Sequence, residues 1–310
     1  MTFGSAPGKK INIVQYIKQS YVLYLFLLPA VVYVFIFNYI PMYGVQIAFK
    51  NFRAVQGIWG SPWVGLTHFR RFFASPDLLM IIGNTVGISL YSLVVGFPIP
   101  IILALMLNYV RPLALKKTIQ TVSYAPFFIS TVVVAGLLYL LLSPNSGVLN
   151  SFRKSFGMSP IFYLAQPKYF KTIYVLANVW QHAGWGSIIY IAALSGVSQE
   201  LHEAAISDGA TKLQRIWHID LPSIRPTIVI LLILRIGQIM NVGFEMTFLL
   251  QNPMNIESSE VISTYVYKIG LLNIQYGYAA AVGLFNNVIN LFFLVFANRI
   301  AKKLTESSLW

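Results

Sequence analysis

The chain contains no cysteine, which excludes disulfide bridges and thiolate metal sites. Charge is scarce as well. Only 10% of the residues are Asp, Glu, Lys or Arg, where a soluble domain carries roughly 25%. Acidic residues are the scarcest class, nine against 22 basic ones, and the net charge is +13. The four histidines, His68, His182, His202 and His218, are scattered without metal-ligand spacing. No phosphate-binding Gly-x-x-x-x-Gly-Lys-Ser/Thr is present. The stretch from Gly4 to Lys10 comes nearest, but it is one residue short, lacks the hydroxyl for magnesium and follows no strand. There is no Ser-His-Asp set and no carboxylate pair. These gaps lead us to expect no cofactor on this chain and no catalysis by it alone.

Apolar residues fill the space instead. They make up 57% of the chain, with a mean hydropathy of +0.68. A spanning helix needs about 20 mostly apolar residues, and six stretches meet that need: 21–43, 79–108, 120–142, 172–195, 226–250 and 277–299. The expected class is an all-α polytopic membrane protein with six spans. It divides into an N-terminal segment 1–20, one membrane domain 21–300 and a tail 301–310. The run from Tyr21 to Tyr43 is too long for the core of a cleaved leader and has no small-residue cleavage site, so it reads as the first span. Basic residues flank the spans rather than forming one patch, which argues against nucleic acid as a partner and for contact with lipid. Their excess on one set of loops is slight. Lys9, Lys10, Lys18, Lys116, Lys117, Lys302 and Lys303 favour cytoplasmic termini and a cytoplasmic 109–117 turn. Two long loops fall outside. Residues 44–78 mix Trp59, Trp63 and a His68–Phe73 interfacial helix with basic groups, and 143–170 is rich in Gly and Pro. Both fit either membrane anchoring or the docking of an external partner.

A polar segment between the fourth and fifth spans carries the sharpest pattern. Ser198 suits a helix N-cap, Glu200 and Glu203 lie in the first turn, and Gly209 suits the C-terminal stop. Residues 199–208 are therefore expected to form a short capped helix. Ala204 and Ala205 would let another surface approach closely, and Glu203 and Asp208 would meet basic groups on it. Pro222 and Pro226 bracket the start of the fifth span.

Glu203-Ala204-Ala205, three residues, Gly209-Ala210, then Ile219-x-Leu221-Pro222, resembles the EAA coupling loop (here near 198–222) of bacterial ABC-importer permeases. Tyr39–Gly44, Ile47–Lys50, Trp63–Leu66, Asn84-Thr85, Gln120–Pro126 and Thr264–Tyr267 resemble the LplB-like polysaccharide permeases of the carbohydrate-uptake group. The likeness runs from about residue 20 to Trp310. It implies a type I importer (MetI-like) fold in a bacterial plasma membrane. It also implies a second similar permease subunit, two cytoplasmic ATPase subunits holding ATP and magnesium, an extracellular sugar-binding lipoprotein and an oligosaccharide substrate. The loop would couple this chain to the ATPase, and transport would proceed by alternating access.

Gln238, Asn241, Glu245 and Phe248 recur three, four and three residues apart, which would set them on one stripe of a continuous fifth span, with Arg235 at its edge. Trp180, Gln181 and Trp185 on the fourth span, with Asn286, Asn287 and Asn290 on the sixth, could join that stripe as a sugar path or serve as interhelical glue. Gly83 and Gly87 fit helix packing. Other readings stay open at this stage: a permease for peptides or another polar solute, an ion-coupled secondary transporter, or a membrane-embedded enzyme.

Overall fold

The computed structural model describes residues 20–305, 308 and 309. The N-terminal segment with Lys9, Lys10 and Lys18, and Trp310, lie outside the described residues. Among those described there is no β-strand, only an isolated bridge between Lys50 and Trp63. The helices in chain order are α1 Tyr21–Phe49, α2 Thr67–Phe73, α3 Leu78–Asn108, α4 Leu113–Phe128, α5 Thr131–Leu141 and α6 Val148–Ser155. They continue with α7 Pro167–Ser195, α8 Gln199–Ser207, α9 Leu221–Ile236, α10 Phe244–Leu250, α11 Ile262–Tyr267 and α12 Tyr276–Thr305.

Prolines shape these helices without ending them. A proline donates no N–H and crowds the carbonyl four residues back. Before Pro41, Pro98 and Pro222 the backbone widens into single π-turns, Phe35–Tyr39, Ser92–Gly96 and Ile216–Asp220, and the helix continues beyond each.

The six expected spans are revised. Among the described residues, α1, α3 and α12 are long and apolar enough to cross a membrane, and the pair α4–α5 makes a fourth if it counts as one. That pair is bent by 99°, so 120–142 is not one straight span. The amide of Gln181 on α7 supports the bend by donating to the carbonyl of Ile129 at 2.8 Å. Helix α7 has 29 residues, but Asn178, Gln181 and His182 interrupt its apolar run. The expected continuous helix 226–250 is broken between Ile236 and Phe244.

Helix α7 is the hub, packed on α3, α4 and α9. It approaches α4 closely at Gly184, where a β-carbon would overlap the carbonyl of Ser123. Helix α12 packs on α9, α11, α2 and the C-terminal end of α1. The α2 helix expected near His68–Phe73 forms, but it lies on the bundle: Phe72 is buried against Phe285. Of the glycine pair on α3, Gly87 makes room for the ammonium of Lys171, and Gly83 faces open space. Helix α1 stands apart. Residues 21–42 are all exposed, and Tyr43–Phe49 packs on α12. A surface this apolar needs lipid or another subunit around it.

The segments 142–166 and 251–275 are built on buried polar side chains. Asn150 donates to the carbonyls of Ser143 and Ile161 and accepts from the N–H of Ile161. Glu260 receives the Thr264 hydroxyl at 2.6 Å and the Lys268 ammonium at 2.5 Å. Such groups withstand burial because each one is bonded.

Candidate functional site

The segment after α7 folds as its residues dictate. The Ser198 hydroxyl caps α8 by accepting from the N–H of Glu200 at 3.2 Å. At the other end Gly209 adopts φ +79°, and the Ala210 N–H reaches back to the carbonyl of Ala205 at 2.8 Å. This left-handed stop closes the helix. Thr211 and Gln214 then form a capping box that starts a second turn, Lys212–Arg215. That turn runs through Ile219 and Asp220 into Leu221-Pro222 at the head of α9. Glu203, Ala204, Asp208 and Gly209 are exposed, and Ala205, Ala210, Ile219 and Leu221 are half-buried. Leu201, Ile206, Leu213 and Trp217 are exposed beside them at 53–69%. Exposed apolar groups near two small alanines can seat against another surface.

Sequence reasoning missed what anchors this segment. Asp220 is wholly buried. Its Oδ2 accepts from the Tyr109 hydroxyl at 2.7 Å, and its Oδ1 lies 3.3 Å from Nε2 of His202 on α8. The Arg215 guanidinium stands 5.4 Å over the Tyr109 ring. One carboxylate therefore ties α8, the end of α3 and the start of α9 together. Burial, and then the hydrogen bond to Asp220, push the Tyr109 hydroxyl up to about 12, so it remains a proton donor at neutral pH. Tyr109 and His202 lie 93 residues apart, and no local pattern joins them.

The second candidate set does not form one stripe. Gln238 and Asn241 lie in the break between α9 and α10, and Glu245 and Phe248 lie on α10. The break is held from outside. Asn290 on α12 accepts from the Met240 N–H at 2.9 Å, and the Tyr174 hydroxyl on α7 accepts from the Gly243 N–H at 3.0 Å. The Asn241 amide oxygen accepts from both Asn286 and Asn290 at 2.9 Å. Arg235, Gln238 and Asn241 line a cavity of about 510 Å³ together with Ser92, Asn178 and His182. The other candidates lie elsewhere. Asn287 lines a separate hollow beside Phe244 and Tyr267. Phe248 stacks on Phe244 at 5.3 Å. Glu245 is exposed in the first turn of α10. Trp185 stacks on Phe127 at 4.6 Å, beside the α4–α5 bend. Among the described residues no group of three His, Asp or Glu side chains could hold a metal.

Comparison with known proteins matches residues 96–306 to the family described as the binding-protein-dependent transport system inner membrane component. The chain is 42% identical over 302 residues to the polygalacturonan/rhamnogalacturonan transport system permease protein YteP of Bacillus subtilis (strain 168), covering 97% of this chain and 94% of that one. It is 41% identical to protein LplB of the same strain, covering 98% and 95%. Among solved structures it resembles a chain of a bacterial alginate ABC transporter in complex with an alginate pentasaccharide-bound periplasmic protein. The identity there is 42%, the TM-score 0.87, and the coverage 95% of this chain and 99% of that one.

Proposed function

This chain belongs to the binding-protein-dependent transport system inner membrane component family, and on that premise we propose that it is a permease subunit of an ABC importer for oligosaccharides or polysaccharide fragments. One observation carries the reading. The likeness to sugar permeases runs along nearly the whole chain, at 42% identity, and so includes both the α8 segment and the α9–α10 break. The resemblances favour saccharides over peptides, and a solute carried by a binding protein over ion-coupled exchange.

In this proposal both termini and α8 face the cytoplasm, and the chain reaches six crossings by counting α7 and the broken α9–α10 as spans. A second permease subunit covers α1, two ATPase subunits bind ATP and magnesium, and a sugar-binding lipoprotein docks outside. The exposed rim of α8 seats on the ATPase. Closure of the ATPase dimer on ATP moves α8, and Asp220 passes that motion to α3 and α9. The cavity beside the α9–α10 break then opens to one side of the membrane and afterwards to the other. No step of the chemistry of ATP falls to this chain.

The test is reconstitution of the complex in vesicles with the binding protein. Glu203→Lys should leave the complex in the membrane while reducing sugar-stimulated ATP hydrolysis and uptake at least about tenfold, the scale of a lost charged contact. Wild-type uptake that needs no ATPase subunit would refute the proposal.

A further inference from the structure

The cavity beside the α9–α10 break is lined without a single acidic residue, yet it holds the side chains of Arg235 and His182. The described residues contain two ion pairs, His202–Asp220 and Lys268–Glu260, and neither involves Arg235. The Arg235 guanidinium has no hydrogen-bond partner among the described residues either. A charged group at membrane depth is costly and is retained where it faces an aqueous cavity and a counter-charge. His182 donates from Nδ1 to the carbonyl of Asn178 at 3.0 Å, since a carbonyl can only accept, and this leaves Nε2 free. One further cation lies beyond the cavity on the same face of α7. Lys171 sits seven and eleven residues before Asn178 and His182, and its ammonium rests over Gly87 of α3, at 3.0 Å from where a β-carbon would stand. Lys171, too, makes no ion pair among the described residues.

Neutral sugars ask for amides, hydroxyls and an aromatic face. They do not ask for an unpaired guanidinium in a cavity free of carboxylates, with a second unpaired cation, Lys171, beyond it on the same helix face. A planar guanidinium matches a carboxylate through two parallel hydrogen bonds. A volume of about 510 Å³ falls within the roughly 300–1,000 Å³ of small-molecule sites.

Building on the transporter reading above, we infer that this cavity takes a carboxylated sugar unit, a uronate of the oligosaccharide. Arg235 clasps the carboxylate. Asn178 and Gln238 bond the ring hydroxyls, and the free nitrogen of His182 bonds a hydroxyl or a carboxylate oxygen. Lys171 draws the anion in from the end of α7 nearest the 143–166 loop. The charge of the sugar is thus read inside the membrane domain, in addition to any selection by the binding protein.

The experiment uses the purified permease–ATPase complex without the binding protein, so that its selectivity does not enter. Trigalacturonate and its carboxyl-reduced counterpart are titrated while binding is read by calorimetry. The wild type should bind the acid at least about tenfold more tightly than the reduced sugar, the scale of one charge-assisted pair. Arg235→Gln should abolish that preference. Arg235→Lys, which keeps the charge but loses the fork, should keep the preference in weakened form. Equal binding of the two sugars by the wild type, no measurable binding of the acid, or a preference that survives Arg235→Gln would overturn the inference. So would pairing of Arg235 with a carboxylate of the second permease subunit, revealed as loss of complex assembly in both Arg235 variants. Failure of the transporter reading is separable: in that case no saccharide delivered by the binding protein would stimulate ATP hydrolysis, whatever residue 235 is.

Discussion

At the scale of single residues, Asp220 and Gly209 do most to fix the α8 segment. Asp220 is a buried carboxylate that holds two other elements through Tyr109 and His202. Tyr109→Phe should leave Oδ2 without its donor and destabilise the chain by about 1–3 kcal/mol, the cost of an unsatisfied buried group, read as a lowered melting temperature in detergent. Asp220→Asn keeps the volume but not the charge. It should preserve assembly and basal ATP hydrolysis while lowering the sugar moved per ATP. An unchanged ratio would remove Asp220 from the force path. Gly209→Val places a β-branched side chain at φ +79°. We expect it to cost at least about 1 kcal/mol and to fray the end of α8, seen as faster hydrogen exchange at Ala205 and Ala210. Gly209 was legible in the sequence because a left-handed stop needs that residue type. Asp220 was not, because its partners come from distant parts of the chain and no spacing rule connects them.

At the scale of elements, the bounds and caps of α8 were legible, although Glu203 lies beyond its first turn, where only Glu200 sits. Ser198, Glu200 and Gly209 are local signals, and the helix they predict ends within one residue of the observed boundary. The exposed Leu201 and Ile206 supply a test of its role. Replacing both with Glu should leave the fold intact, since neither is buried, while ATPase subunits cease to co-purify with the permease. Retention of those subunits would place the contact elsewhere. The α9–α10 break was not legible. Its sequence reads as one apolar run, and what opens it lies far off: Asn290 takes the Met240 N–H from 50 residues away, and Tyr174 takes the Gly243 N–H from 69 residues away. The three-four-three spacing from Gln238 to Phe248 was thus a helical period without one continuous helix beneath it. Breaks of this kind, where side chains satisfy freed backbone groups around a cavity, are the form in which irregular backbone is tolerated at membrane depth. Asn290→Leu should remove the acceptor for the Met240 N–H and shift the break, lowering both stability and sugar uptake. An intact uptake rate would show that the break is not part of the path.

At the scale of the molecule, composition alone announced the bilayer, because charge this sparse cannot solvate a chain of 310 residues. The count of crossings was less secure, since Asn178, Gln181 and His182 interrupt α7, α4–α5 is bent and 226–250 is broken, which leaves three or four helices among the described residues long and apolar enough to cross. On the proposed function, a second permease subunit covers helix α1, whose residues 21–42 are all exposed. Expressed without a second permease, the chain should aggregate or be degraded, as followed by size-exclusion chromatography. The absence of cysteine makes the decisive measurement simple, because an Ala204→Cys variant carries one thiol at the tip of the proposed lever. A membrane-impermeant maleimide should label that thiol in inside-out vesicles, lose access to it when the ATPase subunits are bound, and fail to label it in intact cells. Labelling from outside intact cells, or labelling indifferent to the ATPase, would contradict the account.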